Sequence, residues 1–391
     1  MPLMKKVFTS AMLFSLVLLL AGCGGDGKLK DLRIGLIAEL TGESSAVGIS
    51  CRNAAELAVR EINSGGGLVI GSRKYKVELL VADSGGQAEA SAAAARKLID
   101  SDKVVAIVGP NESRFAIPAS DAAEIAGTVL ISPSSTTPRT TLDAKTGGPK
   151  KYVFRACYID PFQGQVLAKF ARNEEKAETA AVLFDGSSDY SRGIAEVFRD
   201  VFLRKGGKVV AFESYDPGDK DFTTPLMKIK NAGPDVIFLP NHYTEVPNQI
   251  RRARKIGIHA PFLGSDSWGT ADLLKSCGKD CDGIYFSTHF SVEMATPSAR
   301  AFVESYRKAY SVLPDDVAAL TYDSFGLLWQ ALRTAGRLDR QAVRDALARI
   351  PEYDGVTGIM QFREGSGDPI KSAVMMKIQD GRFVWSANAN P

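Results

Sequence analysis

The chain has 391 residues, of which 45% are hydrophobic and 24% are charged, with 48 basic and 45 acidic side chains. The net charge of +3 falls to +1 if Lys5 and Lys6 are removed with a leader, which gives no indication of a nucleic acid or an acidic polymer as a partner. A chain of this length exceeds what one hydrophobic core usually covers, so two domains are expected.

The N-terminus predicts a signal peptide over residues 1–22. Lys5 and Lys6 form a positive start, an apolar stretch covers 7–20, and small residues follow it. The stretch is shorter than the roughly 20 apolar residues of a transmembrane helix. The ending Leu-Ala-Gly-Cys is similar to the bacterial lipobox, which implies cleavage before Cys23 and acylation of its thiol. The alternative is an ordinary secretory signal that is cut at a neighbouring small residue.

The Gly-rich residues 23–30 are typical of a flexible tether between a lipid anchor and a folded domain. Either kind of signal places the protein outside the cytoplasm, and the lipobox adds anchoring to a membrane of the cell envelope. In such an oxidising compartment, the close pair Cys277 and Cys281 predicts a small-loop disulfide. A metal site is the weaker alternative, because the chain has three histidines and only His289 is near this pair. No pairing is predicted for Cys51 or Cys157.

Short apolar runs predict buried β-strands along the chain. They cover residues 34–38, 77–81, 104–108, 129–132, 180–184, 209–212, 236–239 and 284–286. Segments between and after them have helical spacing, at 49–63, 87–101, 113–126, 161–173, 190–205, 222–231, 244–256, 297–310, 316–335 and 339–349. The runs Val374–Ile378 and Arg382–Trp385 predict a closing hairpin.

The alternation of strands and helices predicts an α/β fold with parallel sheets. The pattern covers 31–133 once and restarts near residue 153, after a loop rich in Thr, Pro and Gly. Two similar, doubly wound α/β lobes are therefore expected. Ligands of such sheets bind beyond the carboxyl ends of the strands, which makes the loops after the apolar runs the candidate binding residues.

Two loops of the first lobe carry suitable polar groups. Ser113 follows a strand and lies near a predicted helix start, where free N–H groups and the helix dipole suit a carboxylate. A simple N-cap is the alternative role for this serine. Residues 132–137 form a hydroxyl-rich loop that includes Ser134 and Thr136, and it either cradles a polar head group or forms a solvated turn.

The second lobe adds Asp266, whose carboxylate suits an ammonium group but equally suits a turn cap. Tyr190 and Tyr243 follow other strands and suit either the rim of a site or the core. The sequence has no Gly-x-Ser-x-Gly elbow, no His-Glu-x-x-His motif, no P-loop and no dinucleotide-binding glycine motif after the first strand. An enzyme is therefore not expected, and no cofactor or metal is predicted.

Nearly the whole chain after the leader resembles the leucine/isoleucine/valine-binding family of type I periplasmic binding proteins. The resemblance depends on the order and spacing of short matches at Ile34–Gly42, Ala55–Asn63 with Gly65, Val108–Pro110, Pro118–Asp121, Leu130–Pro133, Phe154–Arg155 with Gln163, Asp189–Tyr190, Lys220–Phe222, Tyr243–Glu245, Ala253–Arg254 with Gly257, and Tyr322–Asp323.

The resemblance implies two lobes that are joined by a three-strand hinge and close over a ligand, with crossings near residues 158, 288 and 371. It divides the chain into a first lobe of 31–158 with 289–371 and a second lobe of 159–288 with 372–391. It also implies a monomer that delivers a solute to the permease subunits of an ABC transporter.

The resemblance also assigns roles to single residues. The ligand carboxylate would meet Ser113, Thr136 and the carbonyl of Ser134, while Asp266 would bind the ammonium group. An aromatic clamp falls on Tyr190 and on His242. The family often has Tyr in place of His242 and an aromatic residue in place of Val47, so the head-group site matches while the side-chain pocket differs.

These features predict a receptor for an α-amino acid, branched-chain or related. A receptor for an amide, a urea or an aromatic acid is the alternative within the fold. A sensory receptor that signals to a membrane partner is an alternative outside transport. The intact acidic residue at Asp266 favours a ligand with an amine.

Overall fold

The computed structural model describes residues 29–294 and 296–390. The signal peptide predicted for 1–22, acylation of Cys23 and most of the predicted tether lie outside these residues. Within them, no helix combines the length and the apolar composition that a bilayer span requires.

The first lobe is built on a sheet of six strands: β1 (Lys30–Ala38), β2 (Leu68–Ile70), β3 (Arg73–Asp83), β4 (Ala106–Val108), β5 (Val129–Ser132) and β6 (Val153–Arg155). Their order across the sheet is β2-β3-β1-β4-β5-β6, and only β2 runs antiparallel to its neighbour. The apolar runs of β4 and β5 are buried along their whole length, because helices cover both faces of the sheet.

Six helices belong with this sheet: α1 (Ser45–Ser64), α2 (Ala88–Asp100), α3 (Ser113–Ile125), α9 (Pro297–Tyr310), α10 (Asp316–Ala335) and α11 (Arg340–Leu347). α10 covers the predicted range 316–335. Asp315 is its N-cap, and Gly336, with φ of 63°, is its C-cap. α1 begins four residues before its prediction. Gly48 permits this extension, since a Cβ there would lie 2.2 Å from the carbonyl oxygen of Glu39.

The second lobe has seven strands: β7 (Thr179–Asp185), β8 (Lys208–Tyr215), β9 (Val236–Leu239), β10 (Phe262–Gly264), β11 (Tyr285–Thr288), β15 (Ala373–Gln379) and β16 (Arg382–Ala389). Their order is β16-β15-β11-β10-β9-β7-β8, with β15 and β16 antiparallel. Around the sheet lie α4 (Asp160–Asn173), α5 (Asp189–Arg204), α6 (Thr223–Ala232), α7 (Val246–Lys255) and α8 (Ala271–Cys277). β15 and β16 form the predicted hairpin.

A small antiparallel sheet of β12 (Glu352–Gly355), β13 (Gly358–Phe362) and β14 (Pro369–Ile370) follows α11 and was not predicted. The chain passes between the two large sheets three times, after β6, after β11 and after β14. These crossings bring the carboxyl ends of both sheets to a shared cleft. The limits predicted for each lobe stay a prediction.

All four cysteines of the described residues are buried. A disulfide joins Cys277 at the end of α8 to Cys281, with 5.7 Å between their Cα atoms. Cys51 and Cys157 are buried free thiols. Burial raises the pKa of both thiols to about 12, so neither has thiolate character near neutral pH.

Candidate functional site

The loop after β4 is shaped by close backbone packing. Gly109 has φ of +84°, and a Cβ there would lie 2.1 Å from the carbonyl oxygen of Ile37, so only glycine fits. The buried carboxylate of Glu39 accepts hydrogen bonds from the backbone N–H of Asn111 at 2.9 Å and of Glu112 at 3.1 Å. Burial raises the pKa of Glu39 to about 7. These contacts fix the backbone that leads into α3.

Ser113 is the first residue of α3, and the N-cap position belongs to Glu112. The hydroxyl of Ser113 accepts from Ser135 Oγ at 3.1 Å, and Ser135 Oγ lies 2.6 Å from Thr140 Oγ1. The serine side chain therefore serves a hydroxyl network between two loops and makes no cap hydrogen bond to the backbone. It reaches the cleft at the N-terminal end of a 13-residue helix, where backbone N–H groups have no intrahelical partner.

Arg155 holds the hydroxyl-rich loop of residues 132–137 in place through hydrogen bonds. Its guanidinium is fully buried and donates to the carbonyl oxygen of Ser135 at 2.5 Å, to that of Thr137 at 2.9 Å and to Thr141 Oγ1 at 2.7 Å. Its Nε donates to the carboxylate of Asp368 at 2.7 Å. A single buried cation thus fixes the conformation of the loop that carries Ser134.

Thr136 lies in the same loop but does not line the cleft. Its side chain is fully buried, and its hydroxyl has no hydrogen-bond partner within the described part of the chain. Its carbonyl oxygen accepts from the backbone N–H of Asp160 at the start of α4. The predicted contact between this hydroxyl and the ligand stays a prediction.

Asp266 is the centre of the second-lobe side of the cleft. It begins a 3₁₀ turn at Asp266–Trp268 after β10 and is buried. The hydroxyl of Tyr190 donates to Asp266 Oδ1 at 2.5 Å and lies 2.8 Å from Ser265 Oγ. The ring of Tyr190 stacks on that of His242, with 5.2 Å between the centroids.

A histidine behind the cleft completes the surroundings of this carboxylate. Nε2 of the fully buried His289 lies 3.1 Å from Asp266 Oδ2, and the imidazole packs on Tyr158 with 3.8 Å between centroids. Burial lowers the pKa of His289 to about 4, so the ring is neutral at pH 7 and its Nε2–H donates. Burial alone would raise the pKa of Asp266, but the hydrogen bonds from His289 and Tyr190 lower it. The carboxylate is therefore ionised.

The two sides enclose a cleft with about 490 Å³ of empty volume, part of it open to solvent. Five of the six predicted ligand-binding residues line it, namely Ser113, Ser134, Tyr190, His242 and Asp266. The lining that was not predicted as ligand-binding consists of Val47, Asn111, Glu112, Tyr243, Ser267, Thr270, Asp316 and Val317. Neither Asp316 nor His289 was predicted as part of the site. Asp316 is the first residue of α10, and His289 directly follows the carboxyl end of β11, which is a signal that the sequence carried.

The lobes contact each other across the mouth of the cleft. Arg139 of the first lobe pairs with Asp189 of α5 at 2.5 Å, and the hydroxyl of Tyr243 donates to the carbonyl oxygen of Glu43 at 3.3 Å. The structure is therefore a closed form. In it, hydroxyl and helix-terminal donors on one side face an ionised carboxylate on the other, which suits a small zwitterion.

Comparison with known proteins shows the family of the chain. The sequence profile of a family described as periplasmic binding protein matches residues 31–382. An amino acid binding protein of Pseudomonas aeruginosa is 30% identical over 337 residues, covering 86% of this chain and 87% of that protein.

Two crystal structures are similar along most of their length. A leucine-binding protein, LivK, of Thermotoga maritima has a TM-score of 0.85 and 31% identity, covering 92% of this chain and 99% of its own. LivJ of Streptococcus pneumoniae, a branched-chain amino acid substrate-binding protein in complex with isoleucine, has a TM-score of 0.83, 31% identity and the same coverage. The two-lobed α/β fold predicted from the sequence is confirmed, and the chain belongs to the periplasmic binding protein family, among the leucine/isoleucine/valine-binding proteins.

Proposed function

We propose that this protein binds an α-amino acid, branched-chain or related, between its lobes and delivers it to the permease of an ABC transporter. Its family consists of solute-binding proteins that are not enzymes, and membership implies an extracytoplasmic location. The choice of ligand depends on Asp266, an ionised carboxylate in the cleft. No Lys or Arg of the described residues forms an ion pair with it.

The ammonium end of the ligand meets Asp266. Each carboxylate oxygen already accepts one hydrogen bond, from Tyr190 or from His289, and each keeps a lone pair for an N–H of the ligand. Hydrogen bonds between ionised partners are stronger than neutral ones, and closure of the lobes excludes the water that would weaken them. An aromatic acid, which has no amine, would leave this charge buried and unpaired.

The carboxylate end of the ligand meets the N-terminus of α3. Ser113 accepts its hydrogen bond from Ser135, so its own O–H is available to donate to the ligand. The helix dipole and the free N–H groups of the first turn add to this site. Ser134 and, by the resemblance, Thr136 complete it.

The lobes close because the ligand binds the closed form better than the open one. Ser113 and Asp266 belong to different lobes, so a zwitterion that contacts both stabilises closure. The closed surface is what the permease would recognise. We further propose that Cys23 carries the lipid anchor and that the protein acts as a monomer.

Calorimetric titration of the purified protein with the common amino acids tests the proposal, and the absence of binding by all of them would refute it. Asp266→Asn keeps the size of the side chain but removes its charge, so affinity for the bound amino acid should fall by about 100-fold, as expected for a lost charged hydrogen bond.

Asp272→Asn is the matched control. Asp272 lies six residues farther on, is half exposed and pairs with Lys275 at the surface, so its loss should leave affinity within about twofold. Equal affinity of the Asp266 variant and the wild type would show that Asp266 is not the ammonium partner. Genes for permease and ATPase subunits beside this one would favour transport over a sensory role.

A further inference from the structure

We infer that the side chain of the bound amino acid carries a positive charge, which pairs with Asp316. This inference rests on the proposed function and names the chemical class of its substrate: a diamino or guanidino acid such as ornithine, lysine or arginine. It departs from the aliphatic ligands named for the similar structures.

Asp316 supplies a second carboxylate inside the cleft. It is the first residue of α10, it is 5% exposed, and it lines the same cavity as Asp266. Gly269 leaves room for it, since a Cβ at that position would lie 2.8 Å from Asp316 Oδ1. The neighbouring lining, Val47 and Val317, is apolar and suits the methylene part of a ligand side chain.

No basic side chain of the described residues lies within ion-pair distance of Asp316. Its Oδ2 accepts from Thr288 Oγ1 at 2.9 Å, and Oδ1 accepts from the N–H of Val317 at 3.0 Å. The buried cation Lys371 is directed elsewhere, because its Nζ donates to Thr357 Oγ1 at 2.6 Å. A buried carboxylate without a cationic partner is costly.

Other carboxylates add to this cost. Asp315 precedes Asp316 and is partly buried, and Asp266 lines the same cavity. Burial, followed by repulsion from Asp315 and Asp266, raises the pKa of Asp316 to about 8. The carboxyl group therefore holds a proton at pH 7 in the unliganded closed form. A ligand cation would replace that proton and relieve the repulsion.

Helix capping does not account for Asp316. Capping of α10 is done by Asp315, whose Oδ1 accepts from the N–H of Ala318 at 2.8 Å. The dipole at the start of α10 favours an anion, yet the pKa of Asp316 remains raised. The other acidic side chain of the lining, Glu112, already pairs with Arg114 at 2.8 Å. Asp316 is thus the carboxylate that remains for a cation on the ligand.

The test compares pairs of amino acids that differ only in a terminal amine: ornithine with norvaline, and lysine with norleucine. By calorimetry at pH 7, at least one diamino acid should bind the wild type at least 10-fold more tightly than its aliphatic partner. In Asp316→Asn the ratio should fall to about threefold or less, while Asp272→Asn should keep the wild-type ratio.

A proton count provides a second readout. Titrations in two buffers of different ionisation enthalpy should show release of nearly one proton per diamino acid bound by the wild type, and none by Asp316→Asn. Thermal unfolding would show whether Asp316→Asn is folded. If it is not, the affinity ratio and the proton count of the wild type still test the inference.

Tighter binding of norvaline, norleucine or leucine than of ornithine, lysine and arginine would overturn the inference but keep the proposed function. Failure of every amino acid to bind would refute the proposed function, and the inference with it.

Discussion

Arg155 offers a direct test of how the hydroxyl-rich loop of residues 132–137 is held. Arg155→Met keeps an unbranched apolar stem but removes the guanidinium, and with it one donor each to the carbonyl oxygens of Ser135 and Thr137 and to Thr141 Oγ1. A hydrogen bond to a charged group contributes about 1.5–3 kcal/mol, and breaking a buried ion pair, here with Asp368, costs about 3–5 kcal/mol. These contributions overlap, so we expect the free energy of unfolding to fall by about 3–5 kcal/mol.

Urea denaturation at pH 7 measures this change. Arg33→Met is the matched control, because its guanidinium is half exposed and pairs with Glu78 on the surface, where less than about 1 kcal/mol is expected. Ligand affinity should also weaken in Arg155→Met and remain unchanged in Arg33→Met. A loss below 1 kcal/mol in Arg155→Met would show that the buried hydrogen bonds do not hold the loop.

Two further predictions concern stability. Replacing Cys277 and Cys281 together by Ser should lower the free energy of unfolding by about 2 kcal/mol, the entropic effect of a very short closed loop, and an unchanged unfolding curve would indicate free thiols. The second concerns pH: burial raises the pKa of Glu39 to about 7 and that of Asp316 to about 8, so the folded protein retains protons that the unfolded chain has lost. The free energy of unfolding of the unliganded protein should therefore fall as the pH rises from 6.5 to 8. The lowered pKa of His289 changes stability only below this range. Asp316→Asn should reduce the fall, and a free energy of unfolding that rises from pH 6.5 to 8 would contradict the raised pKa values.

Local pattern was sufficient for much of the fold. The buried runs at 104–108 and 129–132 appear as β4 and β5, and the helix predicted over 316–335 matches α10. These elements depend on side-chain periodicity and caps that lie close together in the chain. The early start of α1 was not predicted, because Gly48 reads as a helix breaker until its close contact with Glu39 is known.

The candidate site was also predicted only in part. The rule that ligands bind beyond the carboxyl ends of strands, together with the family resemblance, pointed to Ser113, Ser134, Tyr190, His242 and Asp266, which share one cavity in the structure. It also pointed to Thr136, whose hydroxyl is buried away from that cavity. The direction of a side chain in a loop depends on the packing around it, which no local spacing records.

By itself, the sequence determined that the protein has alternating α/β lobes, and it supplied an acidic residue at Asp266 suited to an amine. The leader with a lipobox stays a prediction. Only the tertiary structure decided what surrounds Asp266. His289 is 23 positions away and Asp316 is 50, yet both affect the charge of the cleft. Desolvation and pairing depend on distances in space, so the protonation of these groups, and the charge of the ligand that we infer from it, could not be predicted before the chain was folded.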